Sequence, residues 1–236
     1  MRNAFTIARR ELSAYFTSPV AYVVTAGFLV IAGYFFYFIL YYSQEATLRY
    51  LFNNLTTILL FVAPILSMRL LAEEQRSGTI ELLLTAPVRD WEVVLGKWAA
   101  ALAFWLVMLL PTLLYPFFLS RFGDPDWFPI ITGYLGIILL GGVLLALGTL
   151  TSALTQNQVV AAVLGIGLTI LLWLIGAAGD FAGSSLSGFF QYLALSTHFY
   201  DLTRGVVDTK NLIYYLSVIV AALFLATRVL ESRRWR

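Results

Sequence analysis

From Trp127 to Gly179 the chain carries no Asp, Glu, Lys or Arg. A helical membrane crossing needs about 20 apolar residues, so this one stretch is long enough for two. Its only strongly polar cluster is Thr155-Gln156-Asn157-Gln158, which marks where two spans part, at 129–154 and 158–178. Pro129 suits the first turn of the former. Small residues stud both spans (Gly133, Gly136, Gly141, Gly142, Gly148, Gly165, Gly167) and permit close helix approach. Composition extends the reading to the whole chain. Hydrophobic residues make up 60% and charged ones 12%, against roughly 45–50% and 25% in globular proteins. The apolar residues come in blocks, not in the alternation of barrel strands. The sequence therefore predicts an all-α membrane protein.

Four further spans are expected, making six. The first, 20–42, is free of charge and gathers Tyr34, Phe35, Phe36, Tyr37, Tyr41 and Tyr42 towards one end, as suits a water–lipid boundary. The second, 51–71, contains Pro64, which predicts a kink. The third, 97–119, is interrupted by Pro111 and Pro116, and the sixth covers 212–230. Before the first span, residues 3–18 bring Phe5, Ala8, Leu12, Tyr15 and Phe16 near one helical face, with Arg9, Arg10 and Ser13 elsewhere. This predicts an amphipathic interfacial helix ending before Pro19. No small-residue cleavage site follows the first apolar run, so that run is expected to be retained. The less apolar segment 180–210 predicts one or two short outer helices. Of the 15 Lys and Arg, eleven fall on one side: Arg2, Arg9, Arg10, Arg69, Arg76, Arg89, Lys97, Arg228, Arg233, Arg234 and Arg236. The positive-inside rule then makes both termini, the loop 72–96 and the Gln156 loop cytoplasmic.

The charge excluded from the spans is concentrated between Leu71 and Lys97, which hold Glu73, Glu74, Arg76, Glu81, Arg89, Asp90, Glu92 and Lys97. Inside lies Thr79-Ile80-Glu81-Leu82-Leu83-Leu84, far too short to cross a bilayer and punctuated by Gly78 and Pro87. As a helix it would put Ile80, Leu83 and Leu84 on one face. Such a face buries equally well in lipid headgroups or in a protein groove. Asp90 is placed to cap the third span, with Glu92 in its first turn.

Several activities are excluded or disfavoured. The only Gly-Lys pair, Gly96-Lys97, is followed by Trp98, and Trp91 stands where a P-loop needs its first glycine. With no cysteine, one histidine and three methionines, the chain offers neither disulfides nor a metal relay. No ionisable residue falls near the middle of a span, as an ion-coupled transporter requires. Glu73, Glu74 and Glu81 read as a solvated loop face. His198 sits beside Ser196, Thr197 and Asp201, a hydrolase-like grouping in which a loop contact is the simpler role. Gln156 and Asn157 have helix caps as their plain role.

The run Glu73-Glu74-Gln75-Arg76-Ser77-Gly78-Thr79-Ile80-Glu81-Leu82-Leu83-Leu84-Thr85-Ala86-Pro87, followed by Gly96-Lys97, resembles the coupling region of permeases from type 2 ABC exporters. It is most similar to the permease associated with bacterial gliding motility. The order and spacing of Thr17–Tyr22, Leu110–Tyr115, Gly123–Trp127 and Leu154–Val160 extend the likeness over most of the chain. The resemblance implies a multi-pass protein of the bacterial cytoplasmic membrane, paired with a second permease chain as homo- or heterodimer. The N-terminal helix would be a connecting helix. ATP and Mg would bind a separate ABC ATPase subunit, leaving no cofactor and no enzymatic site on this chain. The loop would form a coupling helix in a groove of that ATPase. Gly78, Thr79, Glu81 and Pro87 match the pattern residue by residue, with Glu74 ahead of them and Ile80, Leu83 and Leu84 supplying the apolar face. Gln156 and Asn157 would make a second, minor contact. The second and fifth spans would line a central cavity through Phe52, Asn53, Thr56, Thr57, Thr169 and Trp173, for an amphipathic cargo under a lid at 181–204. Besides the ATPase and the second permease, membrane lipids are the expected partners, and nucleic acid is not. The alternatives are a non-transporting anchor of a gliding-motility or envelope complex, and an intramembrane lipid-processing enzyme, whose catalytic constellation is missing.

Overall fold

A computed structural model describes residues 2–79, 88–181 and 184–234, with side chains except at 2, 180–186, 233 and 234. Every regular element among the described residues is helical. In order they are α1 (Arg2–Thr17), α2 (Pro19–Ser43), α3 (Arg49–Ser67), α4 (Arg69–Ser77), α5 (Asp90–Leu109), a 3-10 segment (Leu110–Leu113) and α6 (Leu114–Phe122). Then follow α7 (Trp127–Leu154), α8 (Gln158–Phe181), α9 (Ser184–Leu193), α10 (Leu195–Thr203) and α11 (Thr209–Arg234). Among the described residues six stretches are long and apolar enough to cross a membrane: Pro19–Ser43, Arg49–Ser77, Asp90–Phe122, Trp127–Leu154, Gln158–Gly179 and Thr209–Ser232.

The uncharged α7 is the axis on which α3, α5, α8, α10 and α11 pack. Its apolar window is 72% buried, against 11% for the peripheral α2. Glycines set the distances. A Cβ on Gly133 would stand 2.2 Å from the Phe52 ring, and one on Gly141 would stand 2.3 Å from Trp105 Nε1. The small residues of α7 thus admit large side chains from α3 and α5. The helix starts with Asp126, whose carboxylate accepts the Phe128 N–H at 3.2 Å.

Two stretches differ from the sequence reading in instructive ways. The third span is expected from Lys97 with a cap at Asp90; the helix does begin at Asp90, but the cap bond comes from Glu92, which accepts the Arg89 N–H at 3.2 Å. Lys97 consequently lies inside a helix. Near its far end Pro111 tightens one turn to 3-10 geometry without ending the run. There the Thr112 hydroxyl donates to the Leu109 carbonyl at 2.7 Å, and Tyr134 donates to that of Thr112 at 2.7 Å. On α1, Ala4 and Tyr15 are buried and Tyr15 stacks on Phe104 of α5 at 4.9 Å, whereas Phe5 is exposed. Gly96 lets α1 come close, since a Cβ there would meet the Ala4 carbonyl at 2.7 Å.

The helix ends sort into two groups. Arg49 lies over the Tyr200 ring, and Gly205 abuts Phe128 and Pro129 at one end. At the other, Leu71, Val93, Val94, Ala153, Ala226 and Leu230 form a second apolar cluster, beside which α1 lies on α5. The four regions that the Lys and Arg distribution assigns to one side therefore meet at one end.

Candidate functional site

Lys97 is the organising residue of that end. It falls on the buried stripe of α5, in register with Val93, Ala100, Ala101 and Phe104, and is 1% exposed. Its ammonium donates to Glu74 Oε1 of α4 at 2.8 Å and to Glu11 Oε1 of α1 at 3.0 Å. The two carboxylate side chains are 13% and 17% exposed. An isolated buried ammonium costs several kcal/mol, and the two carboxylates offset that cost. Arg10 adds a distant, solvent-screened contact to Glu74 at 3.9 Å. Glu74 Oε2 is buried with no hydrogen-bond partner among the described residues. The three helices are thus tied through one cation.

The stem of the loop is held from a third direction. At Met68 the helix α3 gives way to α4, which exposes backbone groups that a continuous helix would pair. Ser152 of α7 meets them. Its hydroxyl accepts the N–H groups of Leu71 and Ala72, both at 3.0 Å, and donates to the Met68 carbonyl at 2.8 Å. One turn on, Gln75 Nε2 donates to the Ala153 carbonyl at 3.0 Å. The stem then ends at Gly78, whose φ of 73° is left-handed and suits glycine. Thr79 follows, exposed and bonded to Ser77 at 2.8 Å. Ile80, Glu81, Leu83, Leu84 and Pro87 lie outside the described residues. Arg76 and the turn at 154–157 line an open cleft of about 670 Å³, so the two loops carrying the candidate contacts share one face. Asn157 accepts the Val159 N–H at 2.9 Å and so caps α8. Gln156 beside it is exposed.

Residues 5–234 match the profile of the ABC-2 family transporter proteins. The chain belongs to the ABC-2 family. Among curated proteins none matches it. The family membership makes this chain a multi-pass membrane permease of an ABC transporter; permease domains of this family carry no ATPase site of their own, which implies an ABC ATPase as partner.

Within this permease the six cavity candidates separate. Asn53 and Thr57 are exposed on one side of α3. Phe52 and Thr56 are buried inside the chain, and Trp173 is half-buried against Phe199. Thr169 is buried for a reason that Pro64 supplies. A proline cannot donate to the carbonyl four residues earlier, and here that is Leu60. Thr169 of α8 donates to it instead, at 3.2 Å. Gly165, one turn earlier, leaves room for the proline ring.

The structure does not bring the Ser196 hydroxyl and His198 into a hydrogen bond; each has another partner. Ser196 donates to the Trp173 carbonyl at 2.9 Å. His198 Nδ1 lies 2.7 Å from Asn211 Oδ1 and Nε2 lies 2.9 Å from the Tyr192 carbonyl, with the ring stacked on Tyr214. Asp201 accepts from Asn211 at 3.2 Å.

Sequence reasoning missed Lys97 and Ser152. Lys97 had a signal, because the apolar spacing of α5 runs back through it to Val93. Ser152 had none, being one hydroxyl among several in an uncharged run.

Proposed function

We propose that the chain is the membrane half of an ATP-driven exporter, working as a dimer, in which a separate ATPase acts on the bundle through the loop beyond Gly78. The observation that carries the reading is the buried Lys97, bonded to Glu74 at the stem and Glu11 on α1. A loop transmits a push only if its base is fixed to what must move, and this base is fixed to three helices. Exposed Arg76 to Thr79, leading into the loop, and the neighbouring turn with Gln156 offer the ATPase one face. Eleven of the 15 basic residues support placing that face in the cytoplasm of a bacterial cell. The motif likeness to gliding-motility permeases supports that subgroup. Exposed Asn53 and Thr57, with Phe61 one turn further on, offer a cargo both amide and aromatic surface and favour an amphipathic substrate.

The test is reconstitution with the cognate ATPase. The isolated permease hydrolyses no ATP, and hydrolysis appears on adding the ATPase. Glu81→Arg or Leu83→Asp reduces co-purification of the two chains, because a charge in a buried contact is costly. Lys97→Met leaves co-purification intact and abolishes the response of hydrolysis to cargo. Wild-type yield with both loop variants would refute the docking role.

A further inference from the structure

A cleft of about 230 Å³ opens between the α1–α2 elbow and the α3–α4 junction, with Gln158 of α8 also in its lining. One wall is a single helical row, Ile65, Arg69 and Glu73, each one turn from the next. The row crosses the break because Met68 keeps helical angles, φ −54° and ψ −34°. The opposite wall carries Val24 and Val20 and ends at Tyr15. Arg69 and Glu73, though at pairing distance in sequence, form no ion pair with one another among the described residues. Instead Arg69 donates to Ser18 Oγ at 2.9 Å and its guanidinium lies 4.8 Å from the centre of the Tyr15 ring. Tyr15 in turn donates to the Leu66 carbonyl at 2.7 Å. Burial pushes the Tyr15 phenol well above its ordinary pKa, so it stays a donor at all physiological pH. The cation is therefore fixed in place, and the Ser18 hydroxyl takes up only one of its five N–H groups among the described residues.

Moving out of the membrane along this cleft, a ligand meets apolar side chains, then a cation, then, roughly 6 Å further, an anion. A phospholipid with an amino headgroup has the complementary order: acyl chain, phosphodiester, primary ammonium. We propose that this cleft binds an aminophospholipid, with its phosphate on Arg69, its ammonium on Glu73 and one acyl chain between Ile65 and Val24. The order holds in either leaflet orientation, since headgroups always face water. A choline headgroup has no N–H for Glu73, and a glycerol headgroup has no cation. The site adjoins the stem of the proposed coupling loop at Glu73, but lipid retention by the permease alone is read without the ATPase and so is independent of the coupling.

The experiment is native mass spectrometry of the full chain released from micelles that contain phosphatidylethanolamine, phosphatidylcholine or phosphatidylglycerol with matched acyl chains. The wild type retains phosphatidylethanolamine roughly tenfold over either competitor, the weight of one charge-assisted hydrogen bond. Glu73→Gln brings it down to the phosphatidylcholine level. Glu73 is exposed, so this variant keeps the fold, and its unfolding temperature verifies that. Equal retention of all three lipids by the wild type would overturn the proposal, as would an unchanged preference in Glu73→Gln. A preference for phosphatidylglycerol would reduce the site to an anion contact on Arg69. Equal competition by tail-free glycerophosphoethanolamine would remove the membrane as the source.

Discussion

The two ends of this bundle bury polar groups by opposite means. At the loop end the Lys97 cation sits between two carboxylates, so that three separated segments, around residues 11, 74 and 97, meet in one ion cluster. At the far end His198 is held by Tyr192, Asn211 and Tyr214, all within one short stretch of chain. Long-range pairs fix helices relative to one another, whereas local ones complete a unit that keeps its own shape. The loop end is thus where displacement of one element must reach the others. At the far end, α9 to the start of α11, the buried histidine is satisfied within its own stretch of chain.

The comparison breaks first at Lys97. Lys97→Met leaves two carboxylates facing each other without their cation and should cost about 3–5 kcal/mol, read as a fall in the unfolding temperature of the purified chain. Adding Glu74→Gln should recover at least about 1 kcal/mol of that loss. Strict additivity of the two changes would mean that the three segments are not coupled through the cation.

Ser152→Ala comes next, at about 2 kcal/mol, since it strips partners from both sides of the α3–α4 break. Hydrogen exchange should quicken across residues 69–79 and stay unchanged in α10. His198→Leu should cost less, about 1 kcal/mol, with faster exchange confined to residues 187–215. If protection near Lys97 fell as well, the two ends would not be separate units. The smallest effect belongs to Thr169→Val, about 0.6 kcal/mol, the usual worth of a side-chain hydrogen bond between membrane helices. Thr169→Ser, which keeps the hydroxyl, should restore it.

The helices were legible because a bilayer demands long uncharged runs, and the stretch from Trp127 to Gly179 leaves few other ways to fold. What joins them was legible only in halves. Pro64 announces a missing hydrogen bond, and Thr169 announces a hydroxyl in need of a partner. Nothing in the periodicity says that residues so far apart in sequence meet. Lys97 was misplaced because a charge reads as the edge of a span, although its spacing from Val93 and Ala101 put it on the buried stripe. The apolar face of Ile80, Leu83 and Leu84 rests on the sequence itself.

The bond between Thr169 and Leu60 also makes a gauge. The Leu60 carbonyl takes its hydrogen from α8 while belonging to α3, so its stretching vibration senses the gap between these two helices. An isotope label on that carbonyl, moved clear of the amide band, would rise in frequency whenever α8 withdrew its hydroxyl. The spectrum would then follow the relation of the second and fifth crossings, turnover by turnover, without any probe added to the protein.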